Sequence, residues 1–540
     1  MKLTGVGASE GLAVGPVFVH ATAEGEPERR CIAEHEVEAE LTRFRGAVEA
    51  VASKLAETGE RLRAAGSEEE AGIFEAHVEL AEDPELFSGV EERVRNLLES
   101  AEAAVLAVGE EYAGELAAME DEYLAARADD VRDVAGQVSA ELTGRGPSAL
   151  EALTKPSVVL ARSLAPSDTA RIAKGMALGF VTAEGSRTSH VSIMARSMGI
   201  PAVVGVGPTL EEALDARTVA VDGTEGYAVT DPDEATLAEF ERMSEDLAEE
   251  RAVLDRYRHL EARTRDGRRV EVAANLGSAL EAEDALGWGA EGVGLFRTEF
   301  LFMERDELPS EEEQYQAYRA VVRAFGGKPV IVRTLDVGGD KDLPGVDQPP
   351  EENPFLGWRG IRMSLDAPGL FEPQLRAILR AAAHGNLKVM FPMVVEVGEL
   401  LAAKGLLEGC RARLQEEGVE VGAVEVGVMI ETPAAAICAA ELAEECAFFS
   451  IGTNDLVQYT LAADRGNERL RRFQSANHPA VLELIRQTCE AARGAGIPIG
   501  VCGEAAGDPG MIPKLVALGV TELSMGPSAI PRAKKIVSEI

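Results

Sequence analysis

Apolar residues change their spacing along the N-terminal part of the chain, and the changes separate two kinds of structure. Residues 1 to about 22 carry short apolar runs broken by glycine, which predicts one or two strands. From about 24 to 142, prolines are nearly absent and apolar residues recur at helical spacing, which predicts a helical bundle. Strand-like runs then return, at 157–161, 177–181 and 203–206. The bundle is therefore predicted to interrupt an α/β domain.

The rest of the chain alternates short apolar runs with helical segments. Residues 233–264 are rich in Glu, Leu, Ala and Arg and predict one or two helices that act as a linker and hinge. Eight short apolar runs follow, which predicts a (β/α)8 barrel. They lie at 270–274, 292–296, 330–333, 388–391, 427–430, 447–451, 498–501 and 522–525. The predicted domains are a split α/β domain (1–22 and 145–232), a helical domain (23–144), a linker (233–264) and a barrel (265–540).

The barrel prediction points to a set of functional residues, because catalytic groups in such barrels lie at the carboxyl ends of the strands. Arginines and acidic residues follow these strand ends. They are Arg297, Glu299, Arg333, Asp336, Glu431, Asn454, Asp455 and Glu504, together with Cys502. Arginine binds phosphate and carboxylate in a bidentate manner, and carboxylates with phosphate suit Mg²⁺. The expected ligand is small, polyanionic and bound to a metal.

Charge and composition narrow the function classes. The 540 residues have a formal net charge of −40, which makes nucleic acid or an anionic membrane an unsuitable partner. The N-terminus has no apolar core of an export signal and no run of about 18 apolar residues occurs, so a cytoplasmic protein is expected. The six cysteines form no C-x-x-C pair, which argues against a zinc knuckle or a disulfide framework.

The acidic residues are spread along the whole chain, and arginines outnumber lysines. Self-repulsion of this size is best tolerated where salt screens it. We therefore hypothesise a salt-rich cytoplasm. An ordinary acidic bacterial enzyme is the alternative.

The segment 185–205, GSRTSHVSIMARSMGIPAVVG, places His190 after a turn of small hydroxyl residues and before a predicted helix. A histidine there can present its imidazole at a helix N-terminus, where backbone N–H groups stabilise a phosphate. Neutral imidazole is a competent nucleophile near pH 7.

This segment resembles the phosphohistidine motif of the phosphoenolpyruvate-protein phosphotransferases, the Enzyme I family of the sugar phosphotransferase system. Other segments resemble the same family, so the resemblance spans essentially the whole chain. They are 452–467 (GTNDLVQYTLAADRGN), 294–302 (GLFRTEFLF), 353–362 (NPFLGWRGIR), and 73–77 (IFEAH) with 82–86 (EDPEL). The last pair resembles the family's carrier-binding domain.

The resemblance implies roles for the phosphoryl-transfer residues. His190 would be the phosphorylated nucleophile. Arg297, Arg333 and Arg465 would clamp phosphoenolpyruvate, and Asn454 would contact its phosphate.

The resemblance also implies a metal site and a general acid. Glu431 and Asp455 would hold Mg²⁺, with Asp455 also beside the substrate. Cys502 would protonate the enolate carbon to release pyruvate, which suits a thiol because its ordinary pKa is not far above neutrality.

The implied partners are phosphoenolpyruvate and a small histidine-containing phosphocarrier protein that docks on the helical domain. The linker would let His190 move between the barrel and the carrier, and a homodimer through the barrel is implied as well.

Structural roles remain as alternatives for several of these residues. Arg297 and Arg333 could instead pair with Glu299 and Asp336 as salt bridges at the barrel rim. Cys502 could be a packing residue.

Glu431 could merely favour the start of a following helix. Arg187 and Thr188 could orient or charge-stabilise His190, or simply shape the turn.

Two other functions are weighed against the phosphotransferase. Phosphoenolpyruvate synthase or pyruvate phosphate dikinase shares the histidine domain and the barrel, but such enzymes need a nucleotide-grasping domain, and the region outside the shared parts has no Gly-rich phosphate loop. A regulatory relative that senses phosphoenolpyruvate would not need the full set of His190, Arg297, Arg333, Glu431 and Asp455.

Overall fold

A computed structural model describes the chain at residues 1–20, 30–64, 68–117, 127–144, 150, 153–165, 168, 172, 175–187, 189–303, 305, 307–338, 343, 346 and 351–540. It divides into two compact units, Met1–Ala248 and Glu249–Ile540. The two units are considered separately below.

The first unit is built on an eight-stranded mixed sheet with strand order β1-β8-β7-β3-β4-β5-β6-β2. The strands are β1 Lys2–Thr4, β2 Val6–Ser9, β3 Leu12–His20, β4 Ser157–Ala161, β5 Ala177–Thr182, β6 Ala202–Val204, β7 Thr218–Asp222 and β8 Tyr227–Thr230. The central strands β3 to β6 run parallel, and antiparallel strands flank them. Every residue of β4 is buried, as is typical of a parallel strand that is covered on both faces.

A group of helices lies between β3 and β4 in the chain, as predicted. These helices are α1 Val37–Ala64, α2 Glu68–Ala81, α3 Pro84–Glu92, α4 Ala101–Ala117 and α5 Ala128–Thr143. Their shared core includes Leu41, Phe44, Val48 and Phe74. Local signals fix the start of α3, because Asp83 accepts a hydrogen bond from the Glu85 N–H and Pro84 occupies the first turn.

Two helices complete this part of the chain. Helix α6, His190–Met198, ends where Gly199 adopts a left-handed conformation, with φ 66°. Helix α7, Glu234–Arg258, is a single helix across most of the predicted linker, and its residues are divided between the two compact units.

The second unit is a closed barrel of eight parallel strands. The strands are β9 Glu271–Leu276, β10 Val293–Phe296, β11 Val330–Arg333, β12 Leu387–Phe391, β13 Glu425–Ile430, β14 Phe448–Ile451, β15 Ile499–Val501 and β16 Glu522–Met525. The predicted fold class, a split α/β domain with a helical insertion followed by a (β/α)8 barrel, is therefore confirmed.

Helices surround these strands. They are α8 Ala282–Gly287, α9 Glu311–Ala324, α10 Ile361–Asp366, α11 Pro368–Ala381, α12 Val397–Glu416, α13 Pro433–Ile437, α14 Ala439–Ala443, α15 Thr453–Leu461, α16 Pro479–Ala495, α17 Ile512–Leu518 and α18 Ile530–Ser538. No helix in the described part of the chain is long and apolar enough to cross a membrane.

Strand β9 extends further than the hydrophobic pattern predicts. Asn275 and Leu276 pair with Leu295 and Phe296 of β10, so the strand ends two residues beyond the predicted Ala274. The polar Asn275 interrupts the apolar run that marks the strand in the sequence. Ladder hydrogen bonds decide where a strand ends, and the pattern of apolar residues reports only burial.

Candidate active site

A cavity of about 380 Å³ opens at the carboxyl ends of the barrel strands. Charged groups of both signs line it: Arg297, Arg333, Arg359 and Arg465 with Glu299, Asp336, Glu431, Asp455 and Glu504. Asn454 and Cys502 also reach it. The structure thus brings together all seven site residues predicted in the barrel. His190 belongs to the first compact unit.

Arg333, the last residue of β11, is held between two carboxylates. Its Nη2 lies 2.8 Å from Glu299 Oε1 and its Nη1 lies 3.0 Å from Asp336 Oδ2. Burial would lower the pKa of Arg333, but these two carboxylates outweigh it and raise the pKa. Arg333 therefore forms the salt bridges that were considered as its alternative role. The same residue also lines the cavity.

A buried polar network fixes the backbone around Arg333. The Thr298 hydroxyl donates to the Arg333 carbonyl at 2.9 Å. Gln374 of helix α11 donates to Thr298 Oγ1 at 3.2 Å and accepts from the Leu335 N–H at 2.9 Å. These buried hydrogen bonds tie the start of the loop after β11 to the segment after β10 and to helix α11.

Arg297, one residue beyond β10, differs from Arg333 in its surroundings. Its side chain is exposed and borders the cavity. No ion pair joins it to another residue in the part of the chain that the structure describes. Its guanidinium is available to an anion without displacing a carboxylate.

Arg359 is a buried arginine that sequence reasoning did not select. Its Nη2 lies 2.9 Å from Asp336 Oδ2, its Nη1 lies 3.3 Å from Asp455 Oδ1, and Tyr459 OH is 3.2 Å away. The residue is only 4% exposed. Arg362, in the same motif, instead donates to two backbone carbonyls. The motif alone does not show which of these two arginines contacts the carboxylates, because that depends on their positions in the folded chain.

Three buried carboxylates meet at the floor of the cavity. Asp336, Glu431 and Asp455 each offer a ligand atom, and these atoms lie within 4.8 Å of one another. Two of them, Glu431 and Asp455, are the predicted metal ligands, and Asp336 is the third carboxylate of the cluster. The donor set is made of hard oxygen atoms, as Mg²⁺ prefers. Burial and the charges of the other two carboxylates raise the pKa of Glu431, so a bound divalent cation would offset a real electrostatic cost there.

A backbone N–H from another segment of the chain holds the Glu431 carboxylate in this cluster. The N–H of Met393 donates to Glu431 Oε1 at 2.6 Å, and Met393 itself has a left-handed φ of 57°. Strained backbone of this kind persists only where the surroundings fix it. Thr432 caps helix α13 by accepting from the Ala435 N–H at 3.1 Å. The helix start is therefore served by Thr432, and the Glu431 carboxylate remains for the cavity.

The first turn of α15 supplies Asn454 and Asp455. Asp455 Oδ2 lies 3.4 Å from Arg465 Nη1, and the Arg465 side chain is 42% exposed. Asn454 Oδ1 accepts from the Glu504 N–H at 3.1 Å. The bond between Asn454 and Glu504 joins the segments that follow β14 and β15.

Cys502 follows β15 and is 3% exposed. Its sulfur belongs to the interior apolar group of the barrel, which includes Leu295, Ile331 and Met390. Burial raises the pKa of the Cys502 thiol to about 11, so the group is protonated at neutral pH. Packing and the role of proton donor are therefore compatible in one residue.

The segment before His190 is shaped by serine hydroxyls. Ser189 and Ser192 both donate to the Ser186 carbonyl, at 2.8 and 2.6 Å. His190 is the first residue of α6, but its side chain lies outside the described part of the structure, as does Thr188 altogether. Arg187 is exposed, and its carbonyl accepts from Arg196 at 2.9 Å.

Comparison with known proteins covers both units. Three family models match in succession: "PEP-utilising enzyme, N-terminal" at residues 4–127, "PEP-utilising enzyme, mobile domain" at 153–226 and "PEP-utilising enzyme, PEP-binding domain" at 251–540. The phosphoenolpyruvate-protein phosphotransferase of Priestia megaterium is 42% identical over all of this chain and 94% of its own length. Its namesake in Staphylococcus carnosus is 41% identical over the same shares.

The chain belongs to the phosphoenolpyruvate-protein phosphotransferase family.

A further relative of the same name, from Haemophilus influenzae, is 40% identical over 100% of this chain and 94% of its own length. The resemblance noted in the sequence motifs is therefore confirmed. The matched models follow the order of the observed folds, and the barrel falls within the PEP-binding model.

Asp336, Glu299 and Arg359 line this site but have no part in the roles that the sequence motifs imply. The barrel rule placed Asp336 and Glu299 among the functional residues, and the alternative was that they form salt bridges with arginines. The motifs named only Glu431 and Asp455 as metal ligands. Arg359 stands in a recognised motif, although it lies 26 positions after Arg333 in the chain and two positions before α10. Its contacts with two carboxylates arise only in the folded chain.

Proposed function

We propose that the chain transfers the phosphoryl group of phosphoenolpyruvate to its own His190, releases pyruvate, and passes the phosphoryl group to a histidine of a small phosphocarrier protein. This is the first step of the sugar phosphotransferase system. The observation that carries the proposal is the barrel mouth, where four arginines and three clustered carboxylates line one cavity. The family membership supports it over the full chain.

Phosphoenolpyruvate offers a phosphate and a carboxylate, and the mouth offers cations in two settings. Arg297 and Arg465 are exposed, so they can meet the incoming anion first. Arg333 is buried between carboxylates that hold its position. Guanidiniums bind the oxygens of both anionic groups in a bidentate manner. Asn454, beside them, would contact the phosphate.

Mg²⁺ is the metal we infer for Glu431 and Asp455, with Asp336 as a third ligand. When bound, it would neutralise negative charge on the phosphoryl oxygens, and positioning with electrostatics supplies most of the acceleration in such transfers. The carboxylates that would hold it are already buried and close together.

In the first half-reaction, a ring nitrogen of neutral His190 attacks phosphorus and the bond from phosphorus to the enol oxygen breaks. The electron pair of that bond stays on oxygen and forms the enolate of pyruvate. Cys502 then donates its thiol proton to the C3 carbon of the enolate, and the resulting thiolate regains a proton from solvent. The protonated state of the Cys502 thiol suits this role.

The second half-reaction needs His190 to meet the carrier. We propose that the helical domain, residues 23–144, docks the carrier, and that residues 1–22 and 145–232 carry His190 to it. Helix α7 lies within the proposed linker, 233–264, and is the natural pivot. The barrel domain is assigned to 265–540. We further propose a homodimer through the barrel and a cytoplasmic location.

Radiolabelled phosphoenolpyruvate with Mg²⁺ tests the central step. The purified wild-type chain should acquire an acid-labile, alkali-stable label. His190→Ala should abolish it, whereas the matched control His259→Ala, at an exposed position beyond helix α7, should retain it.

Other outcomes would redirect the assignment. Label from ATP in place of phosphoenolpyruvate would favour the dikinase class. No label from either donor would favour a regulatory protein that senses phosphoenolpyruvate.

A further inference from the structure

Asn275 is a polar residue on the inner face of β9, at the end of the strand nearest the cavity. Its neighbours Val272, Ala274 and Leu276 belong to the core between strands and helices. Side chains alternate across a strand, so Asn275 points into the barrel. It is one of the two residues that the hydrophobic pattern left out of the strand.

The Asn275 amide spans two neighbouring strands. Its Nδ2 donates to the Cys502 carbonyl at 2.9 Å and to the Ser524 carbonyl at 3.3 Å. The Ser524 hydroxyl donates to Asn275 Oδ1 at 2.7 Å. Ser524 is completely buried, and a hydroxyl that donates to the amide oxygen fixes the amide nitrogen on the side of Cys502.

The bond from Asn275 to the Cys502 carbonyl lies just beyond the point where the pairing of β15 with β16 ends. The pairing of β15 with β16 stops at Val501, which lies opposite Leu523. On the side of β14, the Cys502 N–H still donates to the Ile451 carbonyl at 3.1 Å. On the other side, Asn275 supplies the donor that the Cys502 carbonyl would otherwise lack. Both backbone polar groups of Cys502 therefore have partners, one on the neighbouring strand β14 and one on β9, which lies beyond β16.

The turn that follows is fixed as well. A Cβ at Gly503 would overlap Thr453, so the chain passes against the start of α15 with no room for a side chain. The Glu504 N–H then binds Asn454 Oδ1 at 3.1 Å. The bond from Asn275 holds the Cys502 carbonyl, so it completes the set of contacts that orient the backbone of this residue.

We propose that Asn275 is a positioning residue for Cys502, which orients the thiol for proton transfer to one face of the enolate. This inference rests on the proposed function. In that step the S–H bond breaks, its electron pair stays on sulfur, and the electrons of the enolate double bond form the new C–H bond at C3. Asn275 exchanges no proton and acts through the position of the donor alone.

The steric course of protonation is the readout, because a purely structural defect would not change it. Phosphoenolpyruvate with deuterium at one C3 position, converted in tritiated water, gives pyruvate with a chiral methyl group when one fixed donor protonates one face. Protonation by water from both faces gives a racemic methyl group. Asn275→Asp keeps the acceptor for Ser524 and removes the donor to Cys502.

Asn275→Asp should lower kcat by about 10- to 100-fold, since small misplacements of a reacting group cost on that order. The KM for phosphoenolpyruvate should change by less than about threefold, and the chirality of the methyl group should fall towards zero. Ser524→Ala, which frees the amide to rotate, should give a milder loss of both. Asn386→Asp, at an exposed position before β12 at the other end of the barrel, should match wild type.

Wild-type kcat and full methyl chirality in Asn275→Asp would overturn the inference, as would a rise in KM with unchanged chirality. If Asn275→Asp does not fold, Ser524→Ala decides the question by the same two readouts. A wild-type chain that takes no label from phosphoenolpyruvate would instead reject the proposed function. Full chirality in Cys502→Ala would reject Cys502 as the donor.

Discussion

The arginines at the barrel mouth differ in burial, and this difference sets what each can do. Arg333 and Arg359 are buried and paired with carboxylates, at 12% and 5% side-chain exposure. Arg297 is exposed. A buried charge that loses its partner is costly, whereas an exposed charge contributes little to stability. Binding and stability should therefore separate at this site.

Substitution of Arg297 and Arg333 by methionine should reveal the separation. Arg297→Met should raise the KM for phosphoenolpyruvate by about 10-fold or more and change the free energy of unfolding by less than about 0.5 kcal/mol. Arg333→Met should lower that free energy by about 3 to 5 kcal/mol, since Glu299 would stay buried without its cation and Asp336 would keep only Arg359. Urea denaturation and steady-state kinetics measure both. Equal destabilisation by the two variants would contradict this account.

Two acidic residues at the opposite end of the barrel make its stability depend on pH. Glu522 and Glu271 are paired neighbours on β16 and β9, and they border a cavity of about 290 Å³. Burial, followed by the charge of Glu271, raises the pKa of Glu522 to about 7. A carboxyl with a raised pKa in the folded state binds its proton more tightly there than when unfolded. Stability is therefore lost as the pH rises from about 4.5 to about 7.

Glu522→Gln should remove this loss. At pH 8 the variant barrel should gain about 2 kcal/mol in free energy of unfolding, and at pH 4.5 it should gain almost nothing. Urea denaturation across this pH range provides the measurement. Glu416→Gln, at an exposed position near the end of α12, should show no comparable pH-dependent gain. A gain of equal size at both pH values would mean that packing, and not titration, is responsible.

At the scale of elements, the helices of the first unit depend on close approach. Gly109 of α4 is buried against α5, and a Cβ placed there would lie 2.5 Å from the Ala135 Cβ. Gly114, on the same helix, has nothing within 4 Å of such an atom. One helix thus contains a glycine required by packing and one that only weakens the helix.

The same substitution at the two glycines should have opposite effects. Gly109→Ala should destabilise the first unit by about 1 to 3 kcal/mol, because α4 and α5 must separate. Gly114→Ala should stabilise it by about 0.5 to 1 kcal/mol through helix propensity. Thermal unfolding followed by circular dichroism compares them directly. Stabilisation by both would show that α4 and α5 tolerate a wider spacing.

At the scale of the whole molecule, the net charge of −40 is the dominant property. Like charges oppose the compact state, and salt shortens their range from about 30 Å at 0.01 M to about 3 Å at 1 M. Many of the arginines are nonetheless engaged in surface pairs, as Arg376 is with Glu311 and Glu417. The excess of acid over base is what remains to be screened.

Molar KCl should therefore raise the thermal unfolding midpoint by about 5 °C or more relative to low salt. Scans at several KCl concentrations measure it, with sorbitol at matched osmolality as the uncharged control. No stabilisation by KCl, or equal stabilisation by sorbitol, would reject the hypothesis of a salt-adapted protein.

The sequence by itself determined the order of strands and helices, since apolar periodicity and caps act between residues close in the chain. It also placed Arg297, Glu431, Asn454 and Cys502 at strand ends, because the barrel rule turns chain position into spatial position. The motif around His190 was decisive for the family. Periodicity, caps and motifs depend on residues close together in the chain. The barrel rule works because every barrel of this kind has the same geometry.

Only the tertiary structure decided which of these groups meet. Asp336 joins Glu431 and Asp455, and Arg359 pairs with two of these carboxylates, although no local pattern in the sequence records either contact. Asn275 interrupts its strand in the sequence, yet it forms the bond that holds the Cys502 backbone. Contacts between residues far apart in the chain depend on closure of the barrel, and that closure creates the site.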